Sequence, residues 1–155
     1  MHNLEKTNDY TLLLKQVEAL IQDEPDYIAN MANVASFIYH MIADLNWTGF
    51  YLLKEDDLVL GPFNGLPACT RIRIGKGVCG TAAERKQVLN VDDVHLFEGH
   101  IACDSASESE LVIPVIVHGK VIAVMDIDSP IKNRFDLELE EFMIEVVNLI
   151  VRKWA

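Results

Sequence analysis

The chain has 155 residues, of which 50% are hydrophobic and 24% charged, and 24 acidic against 13 basic side chains leave a formal net charge of −11. That length and composition suit one globular domain, 1–155, with a full apolar core. The charge removes the electrostatic footprint that DNA or RNA binding needs, and no apolar run approaches the roughly 18 residues that cross a bilayer. The start, Met1-His2-Asn3-Leu4-Glu5-Lys6, lacks the basic and apolar regions of a signal peptide. A cytoplasmic, reducing location is therefore expected.

Leu13, Val17, Leu20 and Ile21 recur at helical spacing and predict a helix from about Tyr10 to Ile21, with Asp9 as N-cap. Gln22-Asp23-Glu24-Pro25 breaks the pattern. A longer helix follows from about Asp26 to Leu45, with Ile28, Met31, Val34, Ala35, Ile38, Ile42 and Leu45 as its core stripe and Asn46 as its stop. The period then changes. Trp47 to Leu53 reads as a strand, Lys54 to Asp57 as a hairpin turn, and Leu58 to Leu60 as the return strand. Gly61 to Pro67 reads as loop by its Gly and Pro content. Arg71 to Ile74 alternates as a short strand, a short helix is expected near Gly80 to Lys86, and Val88 to Val91 is another short strand. Asp92 to Ser109 has no clear period, and irregular loops this long are usually functional or disordered. Glu110–Val117 and Val121–Asp128 form a hairpin around His118-Gly119-Lys120, and Asp136 caps a last helix through about Lys153. The order predicts an α+β fold: antiparallel strands, the long helices on one face, and a loop-covered pocket on the other.

Three groups of residues carry chemistry. Asp126 and Asp128 lie two apart on a strand, so their side chains leave the same face. Glu110 opens the partner strand and pairs roughly with position 127, which brings it near both aspartates if it shares their face. The alternative is that strand ends simply carry solvated charge. If the three carboxyls converge, repulsion drives at least one toward its protonated form, a general acid.

The cysteines are Cys69, Cys79 and Cys103. An odd number in a reducing compartment argues against a structural disulfide framework. They can be buried thiols acting as small hydrophobes. Three thiols also leave a zinc site one ligand short unless His95 or His100 joins, and no Cys-x-x-Cys pair supports one. Cys103 stands apart, because it sits in the irregular loop before Asp104-Ser105-Ala106-Ser107-Glu108-Ser109. That setting favours an accessible, reactive thiol. Backbone N–H groups of the Ser-rich turn can hold a carboxylate. Acidic neighbours disfavour a thiolate, so a reactive Cys103 needs an offsetting positive charge or N–H donors. His95 and His100 are read as pinning the loop to the domain in preference to a base or metal role. Gly75-Lys76-Gly77-Val78-Cys79-Gly80 lacks the spacing and ending of a phosphate-binding loop and reads as a tight turn.

Several blocks together resemble one family. Gly61-Pro62-Phe63, Pro67-Ala68-Cys69-Thr70-Arg71-Ile72, Gly75 to Ala82, Gly99-His100-Ile101-Ala102-Cys103-Asp104-Ser105-Ala106-Ser107 and Asp126-Ile127-Asp128-Ser129-Pro130 are similar to the signature blocks of free methionine-(R)-sulfoxide reductases, which are GAF-domain enzymes. The intervals between the three cysteines match as well. The resemblance runs from about Asn46 to Phe135 and implies a GAF fold and a homodimeric cytosolic protein. It also implies reduction of free L-methionine (R)-sulfoxide with electrons from thioredoxin, and neither metal nor organic cofactor. By position it makes Cys103 the catalytic cysteine, Cys69 the favoured resolving partner and Cys79 an auxiliary thiol. Glu110, Asp126 and Asp128 match its acidic substrate-binding set. Trp47 matches an aromatic wall for the S-methyl end, to which Tyr51 adds. The alternative reading is a non-enzymatic GAF module that binds a small molecule and reports redox state, oxidised stoichiometrically without turnover.

Overall fold

The computed structural model describes residues 6–154 apart from Ala102 and Asp104. Elements run in the order α1 (Tyr10–Ile21), α2 (Tyr27–Met41), β1 (Trp47–Lys54), β2 (Asp57–Gly65), β3 (Arg71–Arg73), α3 (Gly77–Arg85), β4 (Leu89–Val91), a 3₁₀ turn (Val94–Leu96), β5 (Ser109–Val117), β6 (Lys120–Ser129) and α4 (Leu137–Trp154). The six strands form one sheet in the order β3-β2-β1-β6-β5-β4, and every neighbouring pair is antiparallel. The architecture is the expected α+β arrangement.

Aspartates start the three long helices. Asp9, Asp26 and Asp136 accept hydrogen bonds from the N–H groups of Leu12, Ala29 and Leu139 at 3.1, 3.0 and 2.9 Å. Each satisfies one of the orphan donors of a first helical turn. The apolar stripes of α1, α2 and α4 bury Leu13, Val17, Met31, Ile38, Phe142 and Val146 in one core with Phe50, Leu111, Ile113, Met125 and Ile127 of the sheet. On the opposite face, Val78, Cys79, Ala82 and Ala83 of α3 pack in a second cluster with Trp47, Tyr51, Leu58, Val112 and Val124. Alternation along each strand separates the two clusters.

Three boundaries differ from expectation. α2 stops at Met41 rather than Leu45. Ile42 is already extended, Asp44 adopts φ 61°, and the Arg134 guanidinium donates to the Ala43 carbonyl at 3.0 Å. The chain must reverse there to enter β1, and that carbonyl finds its partner outside the helix. β2 continues to Gly65 through the Gly61-Pro62 pair that reads as loop. A register shift in its pairing with β1 takes up the irregularity, and Gly49 lets Phe63 and Trp47 close over the backbone, where a Cβ would collide with both. α3 starts three residues early, at Gly77, whose φ of +61° suits glycine.

Candidate active site

Pairing of β5 with β6 decides the site. Glu110 stands directly opposite Asp128, and Val112 opposite Asp126. The register expected from the turn is off by one residue, and the true one places Glu110 on the aspartates' face. All three carboxyls line a single pocket with Trp47, Tyr51, Cys79, Cys103, Ser107 and His100. They are 6%, 6% and 9% exposed, so the solvated-strand-end alternative fails.

Burial raises all three carboxyls above their ordinary range. For Glu110 desolvation is reinforced by the charges of Asp126 and Asp128, and for Asp128 by that of Asp126; both are pushed well up. Asp126 is raised too, again by desolvation, but hydrogen bonds from Glu110, Cys79 and Asp128 and the nearby His100 oppose the rise. Asp126 is therefore the least raised of the trio, and Glu110 and Asp128 are driven furthest toward the protonated form. Asp126 Oδ1 and Asp128 Oδ1 are buried without a hydrogen-bond partner. An unpaired buried acceptor is costly, and in a pocket it marks where a ligand donor belongs.

The cysteines separate into two kinds. Cys69 and Cys103 form a disulfide, with Sγ atoms 2.02 Å and Cα atoms 5.4 Å apart. It joins the segment after β2 to the irregular loop and sits at the pocket. Cys79 is free and buried. Burial first, then the charges of Asp126, Glu110 and Asp128, push its thiol well up, and it hydrogen-bonds to Asp126. A thiol so placed is not a nucleophile. Cys69 and Cys103 are both half-buried and both oxidised in this bridge.

Aromatic residues build the other wall. Trp47 stacks on Phe63 and Tyr51, with ring centroids 5.2 and 5.8 Å apart. Its indole N–H donates to the Leu66 carbonyl at 3.1 Å, and the Tyr51 hydroxyl donates to the Cys69 carbonyl at 2.9 Å. Both polar tips are thereby spent on holding the segment that carries Cys69, which leaves their rings as apolar surface. On the loop side, Asn46 Nδ2 donates to Ser107 Oγ at 3.1 Å.

The histidines part company. His95 Nε2 lies 3.0 Å from Glu108 Oε2 on the surface, a contact between two residues of the same loop. His100 faces the pocket, its Nε2 3.9 Å from Glu110 Oε1 on β5. The aperiodic loop offered no face from which to read this. Ser107 and Phe63 join the site in the same way, one tying the loop and one backing Trp47. Ala102 and Asp104 of the cysteine block lie outside the described residues. Among the described residues two groups of donor atoms lie within 4.8 Å of one another, Cys79–Glu110–Asp126 and Asp93–His95–Glu108. In the second, Lys132 holds Asp93 at 3.1 Å and His95 holds Glu108. No described helix is long and apolar enough to cross a membrane.

Comparison with known proteins agrees with this geometry. The GAF domain model matches residues 17–152. A Bacillus subtilis protein, YtsP, is 52% identical over 153 residues, covering 97% of this chain and 94% of that one. The free methionine-R-sulfoxide reductase of Escherichia coli is 48% identical over 144 residues, covering 93% and 87%. This chain belongs to the free methionine-R-sulfoxide reductase family of GAF domains. Among solved structures, fRMsr of Staphylococcus aureus in complex with its substrate superposes with a TM-score of 0.92 at 46% identity, covering 97% of this chain and 98% of that one.

Proposed function

We propose that the protein reduces free L-methionine (R)-sulfoxide to L-methionine, using Cys103 as the nucleophile and thioredoxin as the final reductant. The observation that carries this reading is the convergence of three buried carboxyls on a pocket lined by Cys103, whose disulfide partner is Cys69. A sulfoxide sulfur is a poor electrophile until its oxygen is protonated, so a thiol must meet an acid at one centre. Glu110, sharing its proton with Asp128, donates to the oxygen. Cys103 attacks, methionine leaves, and Cys103 becomes a sulfenic acid. The Cys69 thiol condenses with it, releasing water and leaving the disulfide. Exchange with thioredoxin restores both thiols.

Asp126, the least raised of the trio, pairs with the substrate ammonium, and backbone amides of the Ser105–Ser107 turn receive its carboxylate. Peptide-bound methionine lacks both charges and is rejected. Trp47 and Tyr51 enclose the S-methyl end. Cys79 serves as an auxiliary hydrogen-bond donor that holds Asp126. The resemblance to the family supports a cytosolic homodimer as the working form.

The test is an NADPH-coupled assay with thioredoxin and thioredoxin reductase, offering the free R-sulfoxide, the S epimer and an N-blocked R-sulfoxide. Turnover of the free R epimer alone, abolished in Cys103→Ser, is the expected result. A folded, reduced protein that turns over none of them, yet is oxidised once by peroxide, is a ligand-binding redox sensor instead.

A further inference from the structure

The reaction as written leaves one pocket group unused. His100 lines the cavity beside Cys103 and Glu110, and its side chain is 16% exposed against 8% for Glu110. The His100 backbone N–H donates to the Phe97 carbonyl at 3.2 Å, which ties down the turn from which the imidazole enters the pocket, and Cys103 follows three residues on. The His100 Nε2 is 3.9 Å from Glu110 Oε1. Closure by about 1 Å brings the two into hydrogen-bond range.

We propose, resting on the reductase reading above, that His100 relays a proton from the Cys103 thiol to Glu110 during sulfoxide reduction. Cys103 must lose a proton to become a nucleophile, and Glu110 loses one to the sulfoxide oxygen. His100 takes the first and replaces the second. The substrate S–O bond breaks, a Cys103 S–O bond forms, and the electron pair that Cys103 gives up reduces the substrate sulfur to a thioether. The thiol proton ends on the sulfenic oxygen by way of His100 and Glu110, so the step consumes no outside proton or electron. His100 is thus a catalytic residue of this step, exchanging protons with the Cys103 thiol and with Glu110.

The surroundings suit an imidazole that accepts. Burial first, and then the charge of His95, hold His100 below the usual histidine range, while Asp126 pulls the other way. The titratable groups around it are His95 in the 3₁₀ turn, Cys79 on α3, Tyr51 on β1, Glu110 on β5, and Asp126 and Asp128 on β6. Of these, Cys79 and Tyr51 are pushed up by burial and neighbouring carboxyls and do not exchange protons near neutrality. His100 is neutral at neutral pH and protonates only on the acid side.

The test uses pre-reduced full-length protein in single turnover without thioredoxin, following methionine formed from the free R-sulfoxide across pH. Wild type, His100→Asn and His100→Gln are compared. The wild-type rate is expected to fall on the acid side as His100 protonates. Both variants are expected to lose that acid limb and to slow about 10²-fold at neutral pH, with the substrate concentration at half-maximal rate unchanged. Formation of the Cys69–Cys103 disulfide with hydrogen peroxide identifies folded variants. An acid limb that persists in either folded variant, or a loss that lies wholly in substrate binding, overturns the relay. A wild-type protein that forms no methionine fails the reductase reading itself, an outcome separate from both.

Discussion

The β5–β6 hairpin presents two buried faces made from alternate residues of the same strands. Toward the helices, Leu111, Ile113, Met125 and Ile127 are between 0 and 3% exposed. Toward the pocket, Glu110, Asp126 and Asp128 are hardly more open. Burial is nearly equal, yet its sign in free energy is opposite. Each apolar side chain stabilises the fold by about 1.5–3 kcal/mol on leaving water. Each carboxyl loses hydration that its neighbours only partly replace. One face supports the fold, and the other draws on that support to hold acids in a state water would not allow.

Substitutions separate the two faces. The largest effect is expected from Glu110→Gln, which keeps the shape and removes the proton donor: kcat should fall by about 10²–10⁴-fold. Glu110 is held well above the ordinary carboxylate range, so the wild-type rate should decline as pH rises through its raised pKa, and the residual rate of the variant should not. Steady-state kinetics across pH read both. On the other face, Phe50, fully buried against the helices, should cost about 3–5 kcal/mol of stability as Phe50→Ala. Denaturant unfolding measures that loss, while the kcat of the folded fraction stays at the wild-type level.

The smallest effect is a gain. Asp128 is ionised in the unfolded chain above about pH 4 but keeps its proton in the fold. Its raised pKa therefore costs stability, and the cost grows as pH rises from the unfolded pKa toward the folded one. Asp128→Asn removes that cost and should stabilise the protein by about 1–2 kcal/mol at pH 8, with less gain at pH 5 and a loss of turnover. Equal stability of the two proteins at pH 8 would mean that the pocket face carries no such cost.

The pocket face was partly legible in the sequence, and for a definite reason. A period of two fixes which strand residues share a face, and a turn of known position sets register to within one residue. Asp126, Asp128 and Glu110 could therefore be brought together before any coordinates. The helix starts were legible because Asp9 and Asp136 precede apolar stripes. Where periodicity ends, legibility ends. Gly61-Pro62 signals a loop locally, but pairing with β1 overrides that signal and carries β2 to Gly65. His100 lies in a segment without a repeat, and only the three-dimensional path of the loop turns its ring toward Glu110. The Cys69–Cys103 pairing came from family resemblance, since spacing alone left three possible bridges.

The same disulfide does more than mark the site. Cys69 and Cys103 are 34 residues apart in sequence, and the segment between them includes β3, α3 and β4. When the bridge is closed, this segment is a covalent ring. Restricting an unfolded loop of that length is worth about 4 kcal/mol in the chain-entropy account. The proposed cycle would therefore also be a cycle of stability: the thiol form is the one that unfolds more readily, and the oxidised form awaiting its reductant is the more resistant. A thermal melt would then report which stage of turnover the protein had reached.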